Sequence, residues 1–291
     1  MSFKLRLKSY LFQILENFPE KLGDRLYHSI QIASNGKDVK SKMSANYNTY
    51  LTFKEITEKL GISISGKKII EIGSGWLPIM PYFFKYLGQI ELVESYDLNE
   101  HYNKNSILNL NELFQKEFNV NVLPSNSNNF FLPESLKYHP KTNLVSAKLP
   151  AANLVFSRFV LEHVTPEDIK EMHLKFIKEL PPRSYIIHFI SPGDHRAYVD
   201  KTLSLQDFLK YSDADWEKKH TRFDYHNRLR LPQYVDIFSA IGLEIVYLDY
   251  SNPSFESEAF KNFKQLKLHK DFEIFTDEEL TAGAINIVLK T

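Results

Sequence analysis

The stretch "KKIIEIGSGWLPIMP", residues 67–81, sets a short apolar run directly before Gly73, Gly75 and Trp76. The chain holds only 10 glycines in 291 residues, so two of them one residue apart mark a place where the backbone needs freedom. A strand over Lys68–Ile72 that turns through glycines into a helix leaves free N–H groups at the helix start, where a ligand can meet them. The loop either turns the chain or turns it around a ligand, and the flanking sequence has to decide between the two.

Upstream, residues 1–60 read as helical: Tyr10, Leu11, Ile14, Leu15 and Phe18 keep helical spacing, as do Tyr50, Phe53, Ile56 and Leu60. Gly61 and Gly66 bracket a turn before the first strand. Downstream, strands and helices alternate. Strands are expected at Lys68–Ile72, Ile90–Tyr96, weakly within 120–145, and at Leu154–Ser157, Tyr185–Ile190, Leu243–Leu248 and Ile285–Leu289. The segment "TPEDIKEMHLKFIKELPP" predicts a helix capped by Thr165, with Pro166 at its first position, Asp168 three residues past the cap, and a stripe of Ile169, Met172, Phe176, Ile177 and Leu180. "LPQYVDIFSAIG" predicts another, closed by Gly242. "LEIVYL" and "INIVLK" are joined by a long polar segment without a strong crossover helix, which predicts an antiparallel pair at the sheet edge.

The expected fold is therefore α/β: a seven-stranded, doubly wound, mostly parallel, Rossmann-like sheet with a C-terminal antiparallel pair. Residues 1–62 form an N-terminal helical cap, residues 63–291 the main domain, and 191–230 an insertion on the acceptor side. In such sheets ligands sit outside the carboxyl ends of the strands, so an insertion there covers the site.

Composition narrows the function. Hydrophobic residues make up 43% and charged residues 25%, as in ordinary globular proteins, and Lys+Arg equals Asp+Glu at 36 each. That balance leaves no general footprint for nucleic acid. Cysteine is absent, which removes disulfides, thiolate metal sites and a Cys nucleophile. The N-terminus is basic and amphipathic without the pattern of a signal peptide, and no stretch reaches the roughly 20 apolar residues of a membrane span. A cytoplasmic protein is the expectation.

Asp97 falls at the end of the second expected strand, where a carboxylate can accept both hydroxyls of a ribose. A dinucleotide fingerprint needs a third glycine, and Pro78 stands at that position. Glu71, in the strand before the loop, disfavours a pyrophosphate and favours a cationic amino acid or sulfonium. The charge logic points to S-adenosyl-L-methionine.

The run "IIEIGSGW", then Asp97, then "NLVFSRFVLEHV" resembles the class I S-adenosylmethionine-dependent methyltransferases, in particular a subgroup with D-L-V-x-S-x-x-V-L-E-H after the fourth strand. The resemblance covers roughly residues 66–190. It implies that Glu71, Gly73, Ser74 and Gly75 cradle the methionine part of the cofactor, that Asp97 and Leu98 hold the ribose side, and that Ser157 and Arg158 line the floor near the methyl group. The family often places an Asp against the adenine amine; here Asn143 occupies that position, Asn153 replaces a common Asp, and Leu77 the third glycine. S-adenosyl-L-homocysteine would be the product.

Transfer to oxygen or nitrogen removes a proton from the acceptor, which a nearby base assists. Three stretches offer one: Glu162 and His163 in "LEHV", His188, Asp194 and His195 in "IHFISPGDH", and His220 with His226 in "KKHTRFDYHNRLR". His195 is the expected base, oriented by Asp194 and with His163 as the second candidate. His188, Arg222, Tyr225, Asn227 and Arg228 are the expected acceptor-binding residues, since arginine forks suit phosphate or carboxylate. His188, Asp194 and His195 lack a carboxylate pair at helical spacing, so no metal is expected. The pattern "DH…D…FLKYSD…W…YHNRLR" looks similar to methyltransferases among polysaccharide and surface-glycan enzymes, which implies a small glycan or phosphorylated acceptor. An NAD(P)-dependent oxidoreductase and a non-catalytic S-adenosylmethionine-binding protein are the alternatives. The first would bind NADH, and the second would be indifferent to loss of His195 and Asp194.

Overall fold

The structure is a computed structural model that describes residues 2–35, 39–125 and 130–291. Residues 36–38, within the expected helical region, and 126–129, within the range expected to hold the third strand, lie outside the described residues. Three helices come first, α1 (Phe3–Glu16), α2 (Glu20–Asn35) and α3 (Val39–Lys59). The alternating part follows as β1 (Lys68–Ile72), α4 (Ile79–Tyr86), β2 (Leu92–Tyr96), α5 (Lys104–Phe118), β3 (Leu136–His139), β4 (Leu154–Arg158), α6 (Pro166–Glu179) and β5 (Tyr185–Ile190). Then come α7 (Arg196–Val199), α8 (Asp213–Glu217), α9 (Leu231–Ala240), β6 (Glu244–Ser251), α10 (Glu258–Lys264), α11 (Asp277–Thr281) and β7 (Gly283–Lys290).

The described strands form one seven-stranded sheet in the order β3-β2-β1-β4-β5-β7-β6. β1 pairs in parallel with β2 and β4, and β2 with β3; β6 and β7 run antiparallel. This is the expected fold class. Chain order reverses at β1, and the register sets Ile72 opposite both Tyr96 and Ser157, so the carboxyl ends of three strands lie level at the switch point.

Boundaries moved for local reasons. β2 starts at Leu92 rather than Ile90, because the Ile90 N–H bonds back to the Phe84 carbonyl at 3.0 Å and closes α4. β6 and β7 extend beyond the expected ends to pair Ser251 with Gly283. That extension carries Asp249, Tyr250 and Ser251, polar groups that an exposed edge strand tolerates and an apolar pattern does not reveal. The polar segment between them holds two short helices, capped by the Ser257 hydroxyl on the Phe260 N–H and by a Thr276–Glu279 capping box. Thr165 caps α6 as expected, accepting from the Asp168 N–H at 3.1 Å. Among the described residues no helix is long and apolar enough to cross a membrane.

Two compact units are present. One comprises Met1–Ser29, Arg158–Leu174 and Ile187–Lys290, the other Ile30–Ser157, Lys175–Ile186 and Thr291. The second unit has an aromatic core: Phe53 lies 4.9 Å from Phe84, Phe84 5.1 Å from Phe156, and Phe83 5.1 Å from Phe114, ring centre to ring centre. The run "IMPYFFKY" of α4 makes this possible, burying Tyr82, Phe83 and Phe84 completely. Within the first unit a separate cluster of Phe208, Leu209, Trp216, Phe260, Phe263, Phe272 and Leu280 anchors the segment after β5.

Candidate active site

In the second unit, β1 ends in Gly73 and Gly75, with φ of 71° and 62°. Both sit in the left-handed region that an L side chain resists, which accounts for the two glycines the sequence placed there. The Gly73 N–H donates to the Tyr96 carbonyl at 2.8 Å, tying the loop to the end of β2. Beside it, Asp97 leaves β2 half-buried: its Oδ1 accepts from the Asn99 N–H at 2.8 Å, and the Ser74 hydroxyl reaches its Oδ2 at 3.4 Å. His101 Nε2 stands 3.5 Å from Oδ1 and stacks obliquely on Trp76, 4.4 Å between ring centres.

Glu71 is the buried acid of this region, 4% exposed, and accepts from the Ser95 hydroxyl at 2.6 Å. Burial pushes its carboxyl up to about 8, with the Asp97 charge adding to the rise and the Ser95 bond opposing it. Two carboxyls at adjacent strand ends, one of them reluctant to ionise, make a surrounding that a cation relieves. A cationic, ribose-bearing ligand fits these residues; a pyrophosphate does not.

The remaining expected cofactor residues are placed unevenly. Ser157 is fully buried at the end of β4. Leu98 is 67% exposed, beside Asp97. Asn143 is exposed, and its Oδ1 accepts from the Val145 N–H at 2.9 Å, so the side chain stabilises its own turn and an adenine amine would have to compete for it.

The first unit holds the residues expected to act as acid or base. A 3-10 turn at Leu161–His163 directly follows β4, introduced by Phe159 in the left-handed region at φ 56°. Arg158 lies 4.1 Å over the Phe159 ring. The His163, His195 and His226 rings gather in one place, with centres 4.9 Å apart for His163–His195, 4.3 Å for His195–His226 and 5.4 Å for His163–His226. Glu162 joins them: its ligand oxygen and one nitrogen each of His163 and His195 all lie within 4.8 Å of one another. Burial lowers all three histidines, His195 to about 4 and His226 well below the ordinary imidazole value, while it raises Glu162 to about 8. Beside the cluster opens a pocket of about 30 Å³, with Lys8, His195, Trp216, Lys219 and His226 among its lining.

Asn227 assembles this cluster. Its Nδ2 donates to the Leu161 and Val164 carbonyls at 2.6 and 2.8 Å, and its backbone N–H to the Glu162 carbonyl at 2.8 Å. The residue expected to bind the acceptor instead clamps the turn after β4 to the loop segment that carries His226. Tyr225 contributes through its backbone, its carbonyl accepting from His163 Nδ1 at 2.9 Å.

Other expectations need correction. Asp194 does not orient His195: its carboxylate is held by Arg196, Nε to Oδ1 at 3.0 Å and Nη2 to Oδ2 at 2.6 Å, a buried ion pair that starts α7. His188 is fully buried in β5, with its Nε2 2.8 Å from His173 Nε2. Ile169 accepts from His173 Nδ1, so His188 is the donor in that pair, and it offers nothing to a substrate. Arg228 donates to the Phe208 carbonyl at 3.0 Å and pairs with Asp213, while Arg222 lies 3.4 Å from Asp24 and over the Phe223 ring. Both arginine forks are engaged within the protein. Glu162 and His226, which the sequence offers only as members of candidate stretches, stand in the cluster itself; a buried histidine between polar neighbours leaves no periodic mark in the sequence.

No protein-family model and no curated protein matches the chain. Several solved structures resemble it. Magnesium protoporphyrin IX methyltransferase from Synechocystis, with bound S-adenosylhomocysteine, is 11% identical with a TM-score of 0.48, covering 97% of this chain and 100% of its own. Phosphoethanolamine N-methyltransferase 2 of Haemonchus contortus is 13% identical with a TM-score of 0.47, covering 84% of this chain and 52% of its own. An S-adenosylmethionine-dependent methyltransferase of Mesorhizobium loti is 12% identical with a TM-score of 0.41, covering 79% and 93%. At these identities and scores the likenesses carry no weight about activity, and the functional reading rests on the residues described above.

Proposed function

We propose that the chain is an S-adenosyl-L-methionine-dependent methyltransferase acting at oxygen on a small polar acceptor with an anionic or sugar-containing part. One observation carries this reading: the left-handed Gly73 and Gly75 lie beside the Glu71 and Asp97 carboxyls at the carboxyl ends of adjacent parallel strands. Bound there, S-adenosyl-L-methionine would supply a methyl group activated by a sulfonium. Asp97 accepts the ribose hydroxyls, the glycine loop lets the backbone approach the amino-acid part, and the Glu71 carboxyl gives up its proton more readily when a cation is bound beside it. With Pro78 in place of a third glycine, this loop is poorly suited to a dinucleotide.

On the acceptor side the neutral imidazoles of His163 and His195 present lone pairs to an acceptor O–H. Lys8 and Lys219, which line the neighbouring pocket, attract an anionic acceptor in place of the engaged arginines.

Calorimetry with S-adenosylmethionine, S-adenosylhomocysteine and NADH tests the reading. The first two should bind and NADH should not. Asp97→Ala should weaken S-adenosylhomocysteine about tenfold, ~1.4 kcal/mol. Binding of NADH without S-adenosylhomocysteine would overturn the proposal in favour of an oxidoreductase.

A further inference from the structure

We propose that Glu162, His163 and His195, with His226 packed beside them, form a binding site for one divalent transition-metal cation of the zinc class. Two of these side chains carry buried polar atoms that have no hydrogen-bond partner among the described residues, Glu162 Oε2 and His226 Nε2. Their residues are 0% and 4% exposed, so water does not reach these atoms in bulk. An orphaned carboxylate oxygen and an orphaned imidazole nitrogen in one cluster are costly unless something bonds both.

The partners of the other atoms prepare the set for a metal. Glu162 Oε1 accepts from the Ser191 N–H at 3.3 Å, leaving Oε2 as a single ligand oxygen. His163 Nδ1 and His226 Nδ1 lie 2.9 and 2.6 Å from the carbonyls of Tyr225 and Asn227. A carbonyl only accepts, so both Nδ1 atoms carry the proton and both Nε2 atoms hold a lone pair. Such outer bonds are how metal-ligating histidines are usually oriented. The Asn227 clamp fixes the backbone beneath three of the four residues.

Ligand atoms around a zinc at about 2.0 Å stand roughly 3.3 Å apart when tetrahedral, against an outer separation of 4.8 Å for Glu162, His163 and His195. Half-buried His195, at the start of α7, is the least enclosed of these side chains alongside His163, so metal binding would draw the ligand atoms together there. Two imidazoles and one carboxylate, with a third imidazole beside them, suit zinc, cobalt, nickel or ferrous iron; magnesium and calcium prefer oxygen alone. Lys8 faces His195, Arg158 faces Glu162 and Arg230 faces His226, and these positive charges moderate the affinity. Where the methyltransferase reading of the preceding subsection holds, a cation bound here would acidify the acceptor hydroxyl in place of the imidazole lone pairs it occupies.

The test uses full-length protein dialysed against a chelator and titrated with zinc chloride by calorimetry, and with cobalt chloride by visible absorption. One equivalent should bind per chain, cobalt should develop ligand-field bands, and magnesium chloride should do neither. His195→Gln, on a half-buried side chain, and His226→Gln should each weaken zinc at least tenfold, whereas His139→Gln, outside the cluster, should not. Zinc should raise the melting temperature of the wild type and not of His195→Gln. Absence of stoichiometric zinc and cobalt binding, or wild-type affinity in both cluster variants, overturns the proposal. S-adenosylhomocysteine binding to the metal-free protein is measured in parallel: its loss sinks the methyltransferase reading and leaves the metal site standing.

Discussion

Ser74 meets Asp97 across 23 residues of chain, whereas His163 meets the Tyr225 carbonyl across 62. The first region is assembled by two neighbouring parallel strands and the turns that leave them. The second needs a clamp, Asn227, to bring a distant segment onto the turn after β4. Sites built from neighbouring strands inherit their geometry from the sheet, so single side chains there change affinity more than stability. A site built by a clamp depends on the clamp for its existence.

The strongest way to break this comparison is Asn227→Ala. It strands the Leu161 and Val164 carbonyls and removes the acceptor that the Tyr234 hydroxyl and Leu229 N–H use. The expected loss is about 3 kcal/mol in urea unfolding, together with loss of zinc binding. A wild-type midpoint would show that the cluster stands without its clamp.

Gly75→Ala should cost about 1 kcal/mol in stability, from the left-handed backbone alone, since a Cβ there meets nothing within 4 Å. The same variant should lower S-adenosylhomocysteine affinity by a larger factor, measured by calorimetry. Equal losses in stability and affinity would mean that the loop is only a turn.

A third test reads stability against pH. His173, held near 4 by burial, and its partner His188, lowered well below the ordinary imidazole value by burial and by His173, are neutral in the fold and take up protons once unfolded. Their contribution is complete above about 6.5 and is lost as pH falls from there toward 4. Glu71 has the opposite sign: raised from 4.5 to about 8, it holds its proton in the fold, so its contribution is complete below 4.5 and is lost as pH rises through 8. Urea midpoints across pH should therefore show two limbs, with Glu71→Gln flattening the alkaline one and His173→Gln the acid one. Unchanged limbs in these variants would assign them to other groups.

The smallest effect is expected from Asn143→Ala. The side chain is exposed and turned to the Val145 N–H, so cofactor affinity should change less than twofold, below about 0.4 kcal/mol. A tenfold loss would bring Asn143 into the site after all.

Much of the glycine region was legible because its signals are local. A run of Ile69, Ile70 and Ile72 buries itself on both faces of a parallel strand, and the two glycines mark left-handed turns. Asp97 is found from its place at a strand end. The arginines of "HNRLR" read as a clamp for anions because the sequence shows their charge and not their carbonyl partners. Asp194 reads as the partner of the adjacent His195, but Arg196 holds it instead, a choice made by side-chain direction within one turn.

Hydrophobic period, capping residues and glycine placement determined the alternating sheet, its antiparallel edge and the glycine turn after β1, because each of these acts within a few residues of itself. Only the tertiary structure decided which histidines are buried as a bonded pair and which converge on Glu162 with their lone pairs open. Burial and pairing are properties of segments that meet in space, and the energies that set them arise only once those segments have met.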